Sequence, residues 1–513
     1  MCSIAGTTDS NVREMISVMR HRAPDEEGFF SDDAVRLGMG RLKIIDLVSK
    51  GLCPYEEDGL VLCYNGEIYN YIELRRELKK AGWRFRTASD TEVLLKAWRQ
   101  WGPKMFDRLN GMYAFAIYDS RKKKLWLARD IAGEKPLYYV QKFGVFAFAS
   151  EAKALANTLS LKPREDRFFE AFQHCHLTTL WEGVLEVPAA HYLAYDLSTG
   201  RVEVKAHWEF KPRIVQLKSA QEELEHLLED AVRLRTRADV PYGLYFSGGV
   251  DSAILSLLHD FAQTFYFDDE KDWRDDFFKT IDRIVWHLDF PVGSLSSYPL
   301  WKLAQRAGKK VKVVLSGEGA DEVFGGYVRY LPIAQQWALR RHFPSYRYLF
   351  DKYFPDYLDG FSRITARNDD LEFIKDRIRP HFEKFEDPIN AMGYADFKLV
   401  LPSLLQMGDR MAGAFGIENR CPFLDRRVIE FGFSLPPEYK IKGSEQKRML
   451  RKILERRGET GPLRMEKKGL TIVFNKWFNR KDWDRGHYFR LLMEKWRQAY
   501  LQQKEPSLAR SPQ

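Results

Sequence analysis

One stretch constrains this chain more than any other: Leu244-Tyr245-Phe246-Ser247-Gly248-Gly249-Val250-Asp251-Ser252. The apolar residues from Tyr242 to Phe246 read as a buried strand, the two glycines as a turn, and Ala253 to Leu258 as a helix. Strand, loop and helix in immediate succession predict an α/β fold with a parallel sheet. Ligands of such sheets sit at the carboxyl ends of the strands, where this loop falls. A glycine turn opening a helix aims backbone N–H groups at one point, which favours an anion. Ser247 and Ser252 add hydroxyl donors, and Asp251 is suited to a metal that neutralises phosphate. The spacing and the lysine of the other common phosphate loop, G-x-x-x-x-G-K-[ST], are missing. A tight strand-to-helix connection without a ligand is the bland alternative, and a second loop weighs against it. The apolar Lys312-Val313-Val314-Leu315 ends in Ser316-Gly317-Glu318-Gly319-Ala320-Asp321-Glu322. Three carboxylates so close together repel one another unless a cation or a reacting phosphate compensates them.

At 513 residues the chain exceeds one ordinary core, so two to four domains are expected. The net charge of +9 is spread over 81 basic and 72 acidic residues without a long basic run, which predicts a solvated surface and no nucleic-acid partner. No apolar stretch reaches the roughly 20 residues of a membrane helix, and the N-terminus lacks a signal-peptide layout. Five cysteines form no even framework, as expected in a reducing cytoplasm.

In the first 205 residues, Cys2 follows the initiator methionine, and Ile4-Ala5-Gly6 opens a short strand. With Met1 removed, the Cys2 α-amine, of pKa about 7.7–8.0, is placed to take the thiol proton, an arrangement suited to acyl transfer. Gly40 to Asp46 reads as a strand carrying Arg41, Tyr64 to Asn70 as a hairpin turning at Asn65-Gly66, and Ser89 as the cap of a helix. Met112–Tyr118 and Leu125–Asp130 read as two more strands, and many short strands with few helices indicate stacked sheets. His174-Cys175-His176 has no further ligand at metal spacing and reads as structural. Residues 206–218 look like a linker, and Ser219 with Glu222 like a capping box. Asp409-Arg410-Met411 and Glu418 to Asp425 fall in a helical, apolar region, and for most of the lysines and arginines of the basic run Lys440 to Arg457, which has Lys447 at its centre, a solvated helix face is expected.

Cys2, Arg22-Ala23-Pro24-Asp25, Arg41 to Asp46, Asn65-Gly66-Glu67-Ile68-Tyr69-Asn70, Lys135-Pro136-Leu137-Tyr138-Tyr139 and Phe148 to Leu155 resemble the glutaminase domain of glutamine-dependent asparagine synthetases. Ser247 to Ser252, Ser316 to Glu322, Arg420 to Asp425, Gln446-Lys447-Arg448 and Lys468-Gly469-Leu470 resemble the synthetase domain of the same family, whose phosphate loop is that of the ATP-pyrophosphatases. The implied fold is α/β and α+β. A four-layer αββα N-terminal-nucleophile hydrolase domain, 1–205, is followed by a linker, 206–218. A Rossmann-like parallel-sheet domain, 219–480, carries C-terminal helices, with a helical segment and tail over 481–513. In the glutaminase domain the resemblance implies that Cys2 attacks the glutamine amide, Arg41 pairs with the glutamine carboxylate, and Leu42, Lys43, Ile44 and Ile45 line the pocket. Asn65 and the Gly66 N–H form the oxyanion hole, and Glu67 and Asp90 hold the amino group. In the synthetase domain, Phe246, Ser247, Gly248, Gly249, Asp251, Ser252, Phe267, Ser316 and Gly317 contact ATP, and Asp251 and Asp321 hold Mg²⁺. Glu318 serves the step from carboxylate to acyl-adenylate and amide, and Lys447 stabilises the charge that develops. Glutamine, ATP and aspartate are the implied substrates, a homodimer the implied assembly, and the cytoplasm the implied location.

Four departures bear on this. Ala23 and Cys53 replace a glycine and a glutamine usual in the family. The stretch from Asp251 to Lys312 has room for only about two βαβ units of ~30 residues, with the missing part after Phe267. The charged run Asp268 to Asp276 is then expected to face solvent, and the site to be looser. Pro291 to Pro299, in the acceptor region, lacks the arginine seen in many dedicated asparagine synthetases. Two alternatives therefore stand beside aspartate: another carboxylate, such as a cell-wall or natural-product precursor, or a regulatory homologue that binds without completing synthesis.

Overall fold

The computed structural model describes residues 1–9, 11–165, 179–268, 271, 273–290, 296–342, 356–365, 371–459, 461 and 485–500. His174-Cys175-His176, Pro291 to Leu295 and Lys468-Gly469-Leu470 lie outside the described residues.

Among the described residues, the N-terminal half has twelve strands. They are β1 (Ser3–Thr7), β2 (Glu26–Ser31), β3 (Arg36–Arg41), β4 (Tyr55–Glu57), β5 (Leu60–Ile68) and β6 (Gly111–Asp119). There follow β7 (Lys124–Arg129), β8 (Tyr138–Lys142), β9 (Val145–Ala149), β10 (Val184–Glu186), β11 (His191–Asp196) and β12 (Val202–Ala206). They form two antiparallel six-stranded sheets, ordered β10-β8-β9-β1-β3-β2 and β12-β11-β7-β6-β5-β4. Alternation decides which side chains go inward. Ile4, Leu37 and Met39 of the first sheet meet Val61, Cys63, Ala114 and Leu127 of the second in one dry layer. The outer face of the first sheet is covered by Val12, Ile16, Ala154 and Leu155 from two short helices. The second is covered by Leu74, Leu78, Val93 and Leu94 from helices Tyr71–Lys80 and Asp90–Trp101. The four-layer αββα arrangement follows from this double burial, each large apolar side chain contributing about 1.5–3 kcal/mol.

The C-terminal half has a parallel sheet of β13 (Tyr242–Tyr245), β14 (Thr264–Phe265), β15 (Val313–Leu315) and β16 (Glu418–Arg420), ordered β14-β13-β15-β16. Leu244, Val313 and Leu315 face Leu228, Ile254 and Leu255 on one side. Tyr245, Phe265 and Val314 face Ile281, Trp301, Ala304 and Met411 on the other. Helices thus cover both faces, as a parallel sheet requires. Among the described residues, no helix is long and apolar enough to cross a membrane.

Several local expectations are corrected. Asn65-Gly66 is no hairpin turn: β5 runs through it, paired with β6 from Leu60 to Ile68. Gly66 is there because a Cβ would lie 2.1 Å from the Met112 carbonyl oxygen. The strand carrying Arg41 stops at that residue. Ser219 makes no side-chain cap, because its backbone (φ −108°, ψ 7°) is not extended; its hydroxyl turns back to Gln216 O. Glu418–Arg420 is a strand, not part of a helix. In the basic run Lys440 and Lys447 are buried, while Lys442, Arg456 and Arg457 are exposed and Arg448, Arg451 and Lys452 half-exposed, as expected of most of them. After β14 the chain passes through helices Arg274–Leu288 and Ser297–Ala307 to β15, with no further strand among the described residues. Asp268, Lys271, Arg274 and Asp275 are exposed as expected, while Trp273 is buried among them.

The halves meet through buried ion pairs as well as apolar contacts. Arg22 reaches Asp409 at 2.7 Å and Glu151 at 3.1 Å. Asp425 joins Asn110 at 2.9 Å to Arg235 at 3.0 Å. Ile44 and Ile45 pack in the same cluster as Val232 and Leu228.

Candidate active sites

The first site surrounds Cys2, immediately before β1 and close to β5. The Cys2 backbone N–H donates to Asn65 Oδ1 at 3.0 Å, and Arg22 Nε donates to Cys2 O at 3.3 Å. Burial raises the thiol pKa, and the nearby amino terminus and the Leu42 N–H oppose the rise. Met1 is itself fully buried, its side chain between Arg22 and the Gly413 backbone. Burial lowers its amine to about 6. Asn65 Nδ2, Glu67 Oε2 and Ser3 Oγ are buried without hydrogen-bond partners among the described residues. Buried polar atoms are almost always paired, so the open Asn65 Nδ2 and Glu67 Oε2 on the thiol's side of the sheet mark a place for a polar ligand, while Ser3 Oγ faces the other side, beside Gly40.

Arg41 shapes the rim: its Nη2 donates to Ile45 O at 2.9 Å and Asp46 O at 2.8 Å. Lys43 is tied to Asp25 through its backbone N–H at 2.8 Å, while Ile44 and Ile45 point into the core. Asp90 Oδ2 accepts from Tyr64 Oη at 2.8 Å and the Ile68 N–H at 3.0 Å, tying its helix to β5. Glu67 has its pKa driven well above the usual carboxylate range by burial and by Asp90, against the pull of Arg420.

The second site lies at the carboxyl ends of β13 and β15, which pair in parallel and so place their loops side by side. Ser252 Oγ accepts from the Ser247 N–H at 3.2 Å and donates to Gly249 O at 3.1 Å, closing the first loop on itself. Gly249 precedes helix Val250–Leu258 with no side-chain cap, leaving the first-turn N–H groups to a ligand. From the second loop, Glu318 is bonded to Ser316 Oγ and approached by Cys421 Sγ at 3.7 Å; burial raises its pKa. Lys447 Nζ lies 2.6 Å from Asp251 Oδ2 and 2.7 Å from Asp321 Oδ1. The Phe246 ring packs edge-on to Tyr266 at 5.4 Å, and the Phe267 ring stacks on Trp273 at 5.9 Å.

One strand serves both sites. Side chains alternate along β16 and beyond, so Glu418 and Arg420 face the N-terminal half while Asn419 and Cys421 face Glu318. Arg420 holds Glu67 at 3.2 Å and Glu418 at 2.9 Å, and Lys135 Nζ lies 3.9 Å from Glu418. Sequence reading missed Glu418 and Lys135 as partners and gave Arg420 no role in the first site. Three residues are too few to display a period of two.

Comparison with known proteins places this geometry. The glutamine amidotransferase domain model matches residues 1–208, and the asparagine synthase model matches 223–267 and 269–501. The glutamine-hydrolysing asparagine synthetase 1 of Bacillus subtilis (strain 168) is 30% identical over 570 residues, spanning 97% of this chain and 89% of its own. The chain belongs to the glutamine-dependent asparagine synthetase family. A second Bacillus subtilis relative, glutamine-hydrolysing asparagine synthetase 3, is 27% identical over 89% of this chain and 84% of its own. The solved glutamine phosphoribosylpyrophosphate amidotransferase of Bacillus subtilis overlaps 48% of this chain and 60% of that one, at 15% identity and a TM-score of 0.30. As a member of the family the protein is a glutamine-hydrolysing ligase, making an amide at the expense of ATP with nitrogen drawn from glutamine.

Proposed function

We propose that the protein converts aspartate to asparagine, with residues 1–205 releasing ammonia and residues 219–480 consuming it across the linker 206–218. The observation that carries this is the sharing of β16: Arg420 braces Glu67 beside Cys2, and its neighbour Cys421 approaches Glu318. In this reading Met1 is removed, and the freed Cys2 amine takes the thiol proton as sulfur attacks the glutamine amide. Asn65 Nδ2 and the Gly66 N–H receive the oxyanion, Glu67 and Asp90 the α-ammonium, and Arg41 the α-carboxylate.

At the second site the backbone and hydroxyls of Ser247 to Ser252, with Ser316 and Gly317, hold the phosphates, and Phe246 and Phe267 flank the base. An aspartate carboxylate oxygen bonds to the α-phosphorus and pyrophosphate leaves. Ammonia then bonds to the acyl carbon and AMP leaves, with Glu318 beside the reacting group and Lys447 beside the charge that builds. The donor set fits Mg²⁺. Asp251 and Asp321 converge on the Lys447 ammonium and would be the residues that hold the metal, hard carboxylate oxygens suited to Mg²⁺. Bound there, Mg²⁺ would neutralise the phosphates as pyrophosphate departs. A homodimer and a cytoplasmic location belong to the same proposal.

A second acceptor is favoured by one observation, the lack of arginine from Pro291 to Pro299. The test is incubation with glutamine, MgATP and a panel of carboxylates while AMP and pyrophosphate are followed. Aspartate should give amide with release of AMP and pyrophosphate; turnover with another carboxylate and none with aspartate would reassign the acceptor.

A further inference from the structure

Two carboxylates, each in the first turn of a separate helix, share the Lys447 ammonium group. Lys447 Nζ lies 2.8 and 2.6 Å from the two oxygens of Asp251 and 2.7 Å from Asp321 Oδ1, at the place the proposed metal would take. This contact is built into the backbone. Lys447 adopts a left-handed conformation (φ 52°) just before helix Arg448–Arg456, and the Arg448 N–H is pinned to Lys440 O at 3.0 Å. The far end of its stem lies against Gly326, where a Cβ would sit 2.0 Å from Lys447 Cε and 1.9 Å from Asp321 Oδ1. Only glycine at 326 lets the ammonium and Asp321 meet.

We infer that Lys447 is the resident counter-cation of this site and shuts out free divalent metal, so that metal enters only together with a nucleotide. The inference rests on the nucleotide-site reading and adds an order of entry to it. Without a cation, Asp251 and Asp321 repel each other, and Glu318 and Glu322 add to the field. The ammonium removes that repulsion internally. A free divalent ion gains only two carboxylates here and must expel a buried lysine to reach them. A metal carried by phosphates brings its own oxygen ligands, and their charge gives Lys447 a new partner, so the exchange balances.

Free Mn²⁺ binding, read by the loss of its solution paramagnetic-resonance signal, tests this without turnover. The wild-type chain should take up Mn²⁺ weakly alone and at least about tenfold more tightly with ATP present. Lys447→Met should bind Mn²⁺ alone at least about tenfold more tightly than wild type, and Gly326→Ala, which pushes the ammonium from Asp321, should shift the same way. Equal Mn²⁺ affinity in wild type and both variants, with ATP still binding, overturns the counter-cation and leaves the nucleotide site standing. If wild type fails to bind ATP with Mn²⁺, the nucleotide reading falls, and this inference with it. Should Lys447→Met fail to fold, Gly326→Ala alone decides.

Discussion

The two sites are held ready in opposite ways. Around Cys2 the functional atoms lie beside long paired strands, and Asn65 Nδ2 and Glu67 Oε2 are left without partners among the described residues. Around Asp251 they lie on loops and on the first turns of the helices that follow them, and the charges satisfy one another: Lys447 with Asp251 and Asp321, and Glu318 with Ser316. A mid-sheet strand tolerates open polar atoms because its ladder holds them in place whatever the side chains prefer. Asp251 and Asp321 are held side by side by the first turns of helices Val250–Leu258 and Ala320–Phe324, so their mutual repulsion needs an internal cation. The first site is therefore built to receive a ligand, the second to exchange one set of charges for another.

Removing the nucleophile separates the sites most sharply. Cys2→Ala should lower glutamine-dependent amide formation by about 1,000-fold or more while synthesis from free ammonia continues. A variant that hydrolyses glutamine at the wild-type rate would break the assignment.

Next comes the strand between them. Arg420→Ala leaves Glu67 and Glu418 buried without their cation and should cost about 3–5 kcal/mol in a denaturant titration, with Arg420→Lys recovering part. A cost below about 1 kcal/mol would mean that the two sites do not depend on this brace.

Glu318→Gln keeps the shape of the second site and removes its charge. Pyrophosphate release should fall about 100-fold with ATP binding little changed, and glutamine hydrolysis by the other half should persist. Unchanged pyrophosphate release would remove Glu318 from the chemistry.

The smallest effect concerns the ground beneath the nucleotide loops. Lys440 is buried against Phe433 and bonded to Asn390, and burial lowers its pKa to about 7. An unfolded lysine titrates near 10.4, so between about pH 7 and 10.4 the unfolded chain binds more protons and stability rises with pH. The cost of burying the charge is thus full below pH 7. Lys440→Met should stabilise the protein by about 1–3 kcal/mol at pH 6, with the gain shrinking toward pH 10. A gain independent of pH would assign it to packing alone.

Much of this contrast was legible in the chain. Cys2, the Ser247 to Ser252 loop and the Ser316 to Glu322 loop carry their chemistry in contiguous residues, and the strands before both loops are apolar enough to read. Asn65-Gly66 misled, because a turn-forming dipeptide in the middle of a strand looks the same as one at its end. The difference is the closeness of Met112 on the next strand, which is far off in the chain and leaves no local trace. Lys440 misled for a similar reason: a lysine in a basic run reads as solvated until something is packed over it.

What the sequence by itself determined is the kind of layer each half forms and the loops that end its strands, since these depend on periodicity and on residues adjacent in the chain. What only the tertiary structure decided is the pairing of charges across the chain. Arg420 meets Glu67, Arg22 meets Asp409, and Lys447 meets both Asp251 and Asp321. Any of the many lysines and arginines satisfies composition equally well. Burial selects among them, because a charge removed from water is stable only where the fold brings its partner within hydrogen-bond reach.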